Sequence, residues 1–279
     1  MNTPLTFADL HIQLQNRLPI EQVPIDWENT LYTSDYFNAE AESENFYEWP
    51  GDYPTDEETR VITELLESQP SQALLDIACG FDRHSLPLAR DYQLQVTGID
   101  ISPGLIARAQ RRAHAEDLAI GFRVQDVRNL HAEATYDHAL FGYNTLSLFS
   151  PETVPHILRN IHRALRPGGR LFFDLDSRLF SNRYTTRDSM WNICPEGLVF
   201  GEIYYDQALA VEISHDLAFT HGAQELKIYT LFKRIYTREE IEALLVQNGF
   251  TLRALYGDWD HSVHTSETSL KMLIVGEKR

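Results

Sequence analysis

The stretch Ala73-Leu74-Leu75-Asp76-Ile77-Ala78-Cys79-Gly80-Phe81-Asp82-Arg83-His84 decides the fold. A short apolar run ends in small residues and a glycine, and a helical pattern follows from His84 to Arg90. This reads as a buried strand, a tight turn and a helix. The unit then repeats. Leu94 to Asp100 is a second strand, and Ser102-Pro103 supplies an N-cap and a proline at the first helical position. The next helix, Gly104 to Ala115, turns Leu105, Ile106 and Ala109 to one face and Arg108, Arg111 and Arg112 towards solvent. Further strands lie near Ile120 to Gln125 and Tyr136 to Tyr143. The helix Thr153 to Leu165 carries Val154, Ile157, Leu158, Ile161 and Leu165 on one stripe. Pro167-Gly168-Gly169 turns the chain into a fifth strand, Leu171 to Leu175. Strands alternating with helices predict a parallel sheet.

The stretch from Arg178 to Arg234 breaks this alternation. It reads as antiparallel strands, most clearly Phe200 to Tyr205, Ala210 to His215 and Lys227 to Arg234. Regular order returns with the capping box Thr237-Arg238-Glu239-Glu240, a helix to Asn248, and the stop residue Gly249. Two last strands follow near Thr251 to Tyr256 and Lys271 to Glu277.

The chain has 279 residues, with 24 basic and 41 acidic side chains and a formal charge of −17. Such a surface repels phosphate backbones and argues against nucleic acid as partner. No apolar run is long enough to span a membrane, and the N-terminal residues lack a secretory pattern. Two cysteines, Cys79 and Cys194, are too few for a disulfide framework or a cysteine cluster. A cytoplasmic protein with no metal site is expected. The acidity is localised: Asp26 to Glu67 holds 13 acidic residues, one basic residue and eight aromatic rings. Rings of that size repay ordering by burial, so this segment reads as a docked cap.

In open α/β sheets ligands bind beyond the carboxyl ends of the strands. Those ends carry Asp76 and the Ala78–His84 turn, then Asp100, Asp126, the Gly142-Tyr143-Asn144-Thr145 segment, and Asp174 with Asp176. An acid ending the second strand suits two ribose hydroxyls, so a nucleoside-containing ligand is expected. In this order and spacing, LLDIACGFDRHSLPLA, VTGIDISPGLIARA, FRVQDVRNL, YDHALFGYNTLSLF and ALRPGGRLFFDL resemble the successive motifs of class I S-adenosylmethionine-dependent methyltransferases. RIYTREEIEALLVQNGF and YGDWD are similar to the family's late helix and the strand end beyond it. The likeness runs over about residues 55–279. It points to the small-molecule enzymes that carry an antiparallel insertion.

The resemblance implies an α/β fold: a Rossmann-like, seven-stranded, mostly parallel sheet with helices on both faces. To this the chain would add an antiparallel lid at 178–234 and the N-terminal cap at 1–67, with the core formed by 68–177 and 235–279. It implies S-adenosyl-L-methionine as cofactor. Asp76, Ala78, Cys79, Gly80, Asp82 and His84 would face its methionine end, and Asp100 its ribose. Ile101 would pack beside the adenine, with Asp126 and the Val127 N–H at its edge. Phe141 would pass beneath the methionine and lead to Tyr143 and Asn144, the residues expected beside the transferred methyl. The cap rings Tyr47, Trp49 and Tyr53, with His221 and Trp259, are candidate contacts for a small-molecule acceptor. Rings beside acids suit a neutral or cationic guest.

The family's glycine-rich turn has glycine where this chain has Ala78 and Asp82. Asp82 tolerates left-handed geometry, but its carboxylate is expected near the cofactor's own carboxylate, which would weaken binding unless Arg83 offsets it. Two other functions stay open: a cyclase or other group transferase on the same cofactor site, and a non-catalytic cofactor- or partner-binding protein. A nicotinamide dehydrogenase is disfavoured because GxGxxG is absent after the first strand.

Overall fold

The computed structural model describes residues 7–27, 54–184, 187–194, 197–220 and 227–279. In chain order its elements are α1 (Phe7–Asn16), α2 (Thr55–Leu66), β1 (Ala73–Ile77), α3 (Ser85–Arg90), β2 (Gln95–Asp100), α4 (Pro103–Ala115), β3 (Gly121–Val124) and β4 (Tyr136–Phe141). There follow α5 (Val154–Ala164), β5 (Leu165–Asp176), α6 (Arg178–Tyr184), β6 (Arg187–Cys194), β7 (Gly197–Asp206), β8 (Val211–Thr220) and β9 (Lys227–Arg234). The chain closes with α7 (Arg238–Gln247), β10 (Phe250–Tyr256) and β11 (Lys271–Lys278).

Seven strands form one sheet in the order β10-β11-β5-β4-β1-β2-β3. β1 pairs parallel with β2 and β4, β2 with β3, and β4 with β5. Only β11 runs against its neighbours β5 and β10. The order reverses at β1 and β4, so their carboxyl ends open the crevice where such sheets take ligands.

Strand alternation sends successive side chains to opposite faces. Leu75, Ile77, Ala139, Phe141, Leu171 and Phe173 meet the α5 stripe and Ile241 and Leu245 of α7. Leu74, Val96, Leu140, Phe172, Leu273 and Val275 meet Val61, Ile62 and Leu66 of α2. Helix α2 lies within the stretch expected to form the cap, yet it packs on the core sheet. Its apolar residues recur at helical spacing, and burying each removes about 1.5–3 kcal/mol of apolar exposure cost. The expected caps form as well. Ser102 Oγ accepts from Leu105 N, and Thr237 and Glu240 complete their reciprocal box.

The insertion is a second sheet, four antiparallel strands in the order β6-β7-β8-β9. One strand more than the three most legible in sequence is present, since Arg187–Cys194 also pairs. Val211, Ile213 and Phe232 turn one face to Ile20, Val23, Ile25 and Trp27 of the N-terminal segment. The Trp27 and Phe232 rings meet edge to face at 6.0 Å, and Arg17 forms an ion pair with Glu202. The opposite face carries Glu212 and Lys233, a directly opposed cross-strand pair, and turns towards the end of β5. Among the described residues no helix is long and apolar enough to cross a membrane.

Candidate active site

The turn after β1 is built on three left-handed residues, Ala78 (φ 54°), Gly80 (φ 56°) and Asp82 (φ 82°). A Cβ added at Gly80 would meet nothing within 4 Å, so the space over the turn is open. Gly80 N–H donates to Asp100 Oδ2 at 3.0 Å, and Ser102 N–H donates to Asp100 Oδ1 at 2.8 Å. These bonds fix the carboxylate that ends β2 beside the turn. Burial pushes the Asp100 pKa up, against the bonds from the backbone that favour its charge. Asp76 lies beneath, fully buried, and accepts from Ser85 Oγ at 2.6 Å. Burial raises its pKa to about 6. Cys79 is buried between Gly98 and Phe122, so only its backbone lines the turn.

Asp126 caps the short helical turn Val127–Asn129 and is engaged by Arg128. Arg128 N–H donates to Oδ1 at 2.8 Å and Arg128 Nε to Oδ2 at 2.8 Å. Ile101 is half-buried. Val127 and Phe141 are buried in the core. The Phe141 ring packs against Phe149 at 6.1 Å, so at that position the backbone and not the ring faces the crevice.

Glu58 of α2 joins the two residues after Asp82. It accepts from Arg83 Nη1 at 2.6 Å and bonds His84 Nε2 at 2.8 Å. Burial opposes its charge, but the His84 bond and the Arg83 charge outweigh that, and its pKa stays below the ordinary value. His84 packs beside Gly142. Tyr143 is 65% exposed, and the Arg83 guanidinium sits 5.5 Å from its ring centre. Tyr143 and Asn144 are both left-handed, at φ 60° and 58°. They lie outside β4, which ends two residues earlier than the sequence reading placed it.

Asn144 Nδ2 donates to Asp176 Oδ2 at 2.8 Å. Around Asp176 the structure collects a charge cluster. Lys271 Nζ lies 3.4 Å from Asp176 and 3.8 Å from Asp174. Lys233 Nζ lies 2.5 Å from Glu212 and 3.8 Å from Asp176. Burial works against the charge on both lysines, and the neighbouring carboxylates hold their pKa values up. Asp174 is buried, with Oδ1 lacking a hydrogen bond, and burial raises its pKa.

Two expectations are corrected. Asp82 does not rely on Arg83: its buried carboxylate is turned onto Arg112 Nη1 at 2.7 Å, and Arg83 is taken by Glu58. Of the α4 arginines expected to face solvent, Arg111 and Arg112 are exposed, while Arg108 is half-buried over the Phe81 ring. Trp259 packs on Phe172 with ring centres 5.9 Å apart, on the α2 side of the sheet. Tyr47, Trp49, Tyr53 and His221 lie outside the described residues. The sequence reading missed Glu58, Lys233, Glu212 and Lys271. Glu58 alone left a trace, an acid on the apolar stripe of Val61, Ile62 and Leu65.

Residues 74–169 match the family model of a methyltransferase domain. A Geobacillus sp. (strain WCH70) protein named provisionally as a methyltransferase is 25% identical over 75% of this chain and 86% of its own length. These matches support a class I S-adenosylmethionine-dependent methyltransferase. Two solved structures share the fold of this methyltransferase. The CcbJ methyltransferase of Streptomyces caelestis aligns with a TM-score of 0.73 at 17% identity, over 91% of this chain and 99% of CcbJ. The sugar N-methyltransferase KedS8 of Streptoalloteichus sp. aligns at 0.62 with 20% identity, over 83% and 90%. Matches to curated phosphoethanolamine N-methyltransferases and O-methyltransferases span only 22% to 52% of those proteins.

The site fits the cofactor in its donor set. An acid fixed by two backbone N–H groups stands beside an open left-handed turn, as ribose hydroxyls and an adjoining amino-acid moiety require. When bound, S-adenosylmethionine supplies an electrophilic methyl group on a sulfonium.

Proposed function

We propose that this methyltransferase methylates an oxygen or nitrogen of a small, neutral or cationic molecule. The acceptor enters between the Tyr143-Asn144 segment and the inner face of the antiparallel sheet. The observation that supports this is the contact of Lys233, itself paired with Glu212, with Asp176, which brings that sheet onto the carboxyl end of β5. Asp174, Asp176 and Glu212 outnumber Lys233 and Lys271 there. That balance repels anionic guests and tolerates an amine.

In this reading Asp100 holds the ribose, Asp126 the adenine edge, and the Ala78–Asp82 backbone the methionine end. Tyr143 and Asn144 orient the acceptor. Alignment of a nucleophile with the methyl group supplies much of the acceleration, so a base is needed only for an acceptor that arrives protonated. KedS8 is named for a sugar N-methylation, and amino sugars therefore enter the acceptor panel.

The test is incubation with S-adenosylmethionine and panels of amines, amino sugars and hydroxylated small molecules, read by product mass. A product heavier by one CH₂ with matching S-adenosylhomocysteine release is expected. Conversion without a gain in mass would establish the cyclase-type alternative. S-adenosylhomocysteine binding without turnover of any panel member would favour the non-catalytic one.

A further inference from the structure

The β1–α3 turn needs left-handed backbone at a non-glycine residue, Asp82, and the fold supplies a specific holder. Left-handed geometry is unfavourable for an ordinary L-residue and less so for Asp. Asp82 N–H donates to Cys79 O at 3.0 Å, and its carbonyl accepts from Leu86 N–H at 3.1 Å. Its side chain is fully buried. From α4, Arg112 Nη1 stands 2.7 Å from Asp82 Oδ1 and directs an aligned bond to the Phe81 carbonyl at 3.1 Å. The Asp82 contact is thus an ion pair, while the directional bond goes to its neighbour. One helical turn earlier, the Arg108 guanidinium lies 5.3 Å from the Phe81 ring centre. On the inner side, Gly80 N–H is held by Asp100. Helix α4 begins three residues after that same acid. One helix therefore grips the turn from outside and indexes it to the ribose acid inside.

We infer that Asp82 and Arg112 form a positioning pair that locks the β1–α3 turn in the shape that receives the methionine end of the cofactor. The pair does with a buried side-chain contact what a glycine permits by lacking a Cβ. This arrangement is costly as a brace, because burial works against the Asp82 charge despite Arg112 and Arg108, with Glu116 and Asp76 adding repulsion. Buried ion pairs contribute little net stability compared with apolar packing, but they can single out one conformation. Affinity and stability should therefore respond differently when the pair is broken.

The test uses the full chain with Asp82→Gly, Arg112→Ala, Arg112→Lys and the Asp82→Gly/Arg112→Ala double variant. Calorimetry gives the Kd for S-adenosylhomocysteine, thermal unfolding gives the apo midpoint, and hydrogen exchange reports the Asp82 and Leu86 amides. Asp82→Gly and Arg112→Ala should each raise Kd about fivefold or more and speed exchange at both amides, with the apo midpoint unchanged or raised for Asp82→Gly and lowered for Arg112→Ala, which strands the buried carboxylate. Arg112→Lys keeps the charge but cannot span both acceptors, so it should fall between. The double variant should bind no worse than the weaker single one, since both break one lock. Binding by Asp82→Gly as tight as or tighter than the parent overturns the proposal. For Asp82→Gly, which strands no buried charge, a loss of affinity that follows a fall in the apo midpoint also overturns it, because a purely structural role predicts that pattern.

Discussion

Asn144 and Asp176 are joined in both directions. The Asn144 amide donates to the Asp176 carboxylate at 2.8 Å, and the Asp176 backbone N–H donates to Asn144 Oδ1 at 3.2 Å. The two bonds tie the segment after β4 to the end of β5, where the acceptor is proposed to enter. They also hold Asn144 in its left-handed conformation, which asparagine tolerates better than most residues.

Replacing Asn144 with Ala removes both bonds and leaves Asp176 with Lys271 and the more distant Lys233. The acids proposed to face the cofactor are untouched. Turnover at saturating cofactor should fall about tenfold or more, while S-adenosylhomocysteine affinity stays within about twofold of the parent. Steady-state kinetics beside calorimetry separate the two. An equal loss of turnover and binding would mean that Asn144 acts through the cofactor site.

Asp100 is the residue on which cofactor affinity should depend most. Asp100→Asn keeps the shape but gives up one acceptor position and the charge that strengthens the bonds from Gly80 and Ser102. Hydrogen bonds to charged groups contribute about 1.5–3 kcal/mol each, so Kd should rise roughly 10- to 100-fold. One of the two backbone N–H groups then faces an amide NH₂, so the apo protein should also lose stability. Calorimetry showing unchanged Kd would remove Asp100 from the ribose site.

What could be read in the sequence, and what could not, follows from how local each signal is. The succession of strands and helices rests on signals within a few residues, such as the Ser102-Pro103 cap, the Thr237–Glu240 box and the stripe of α5. Asp82's holder is 30 positions away on another helix, and the Lys233–Glu212 pair exists only once β8 and β9 are in register. Helix α2 was masked by its charge: the acids that mark the Asp26–Glu67 segment continue through the face opposite Val61, Ile62 and Leu66. Arg187–Cys194 mixes charged, polar and apolar residues without clean alternation, so its pairing depends on β7.

The Lys233–Glu212 pair should be expensive to break and cheaper to remove. Lys233→Met leaves the nearly inaccessible Glu212 carboxylate with Ser181 Oγ at 3.4 Å. Loss of one partner of a buried pair typically costs about 3–5 kcal/mol. Adding Glu212→Leu should recover about half of that or more in denaturant titrations. If the double variant is less stable than Lys233→Met, the pair contributes by more than mutual neutralisation.

The pH dependence of stability offers a direct check on Asp82. Its pKa is raised to about 7, first by burial, against the opposing charges of Arg112 and Arg108 and with added repulsion from Glu116 and Asp76. At pH below the ordinary carboxylate value the group is protonated in both the folded and unfolded chain. As pH rises from about 4 towards 7 the unfolded chain releases the proton while the folded chain keeps it, so stability falls over that window and levels off above it. Asp82→Asn has no proton to release. The stability of the parent minus that of Asp82→Asn should therefore decline on going from pH 5 to 7.5. The decline should be on the order of 1–2 kcal/mol, after allowance for the solvent that reaches Arg112. Asp76, raised to about 6 by burial, is present in both proteins and largely cancels. Urea titrations of the two apo proteins at matched ionic strength measure the difference. A difference that stays flat, or grows with pH, would show that Arg112 holds the Asp82 carboxylate ionised throughout.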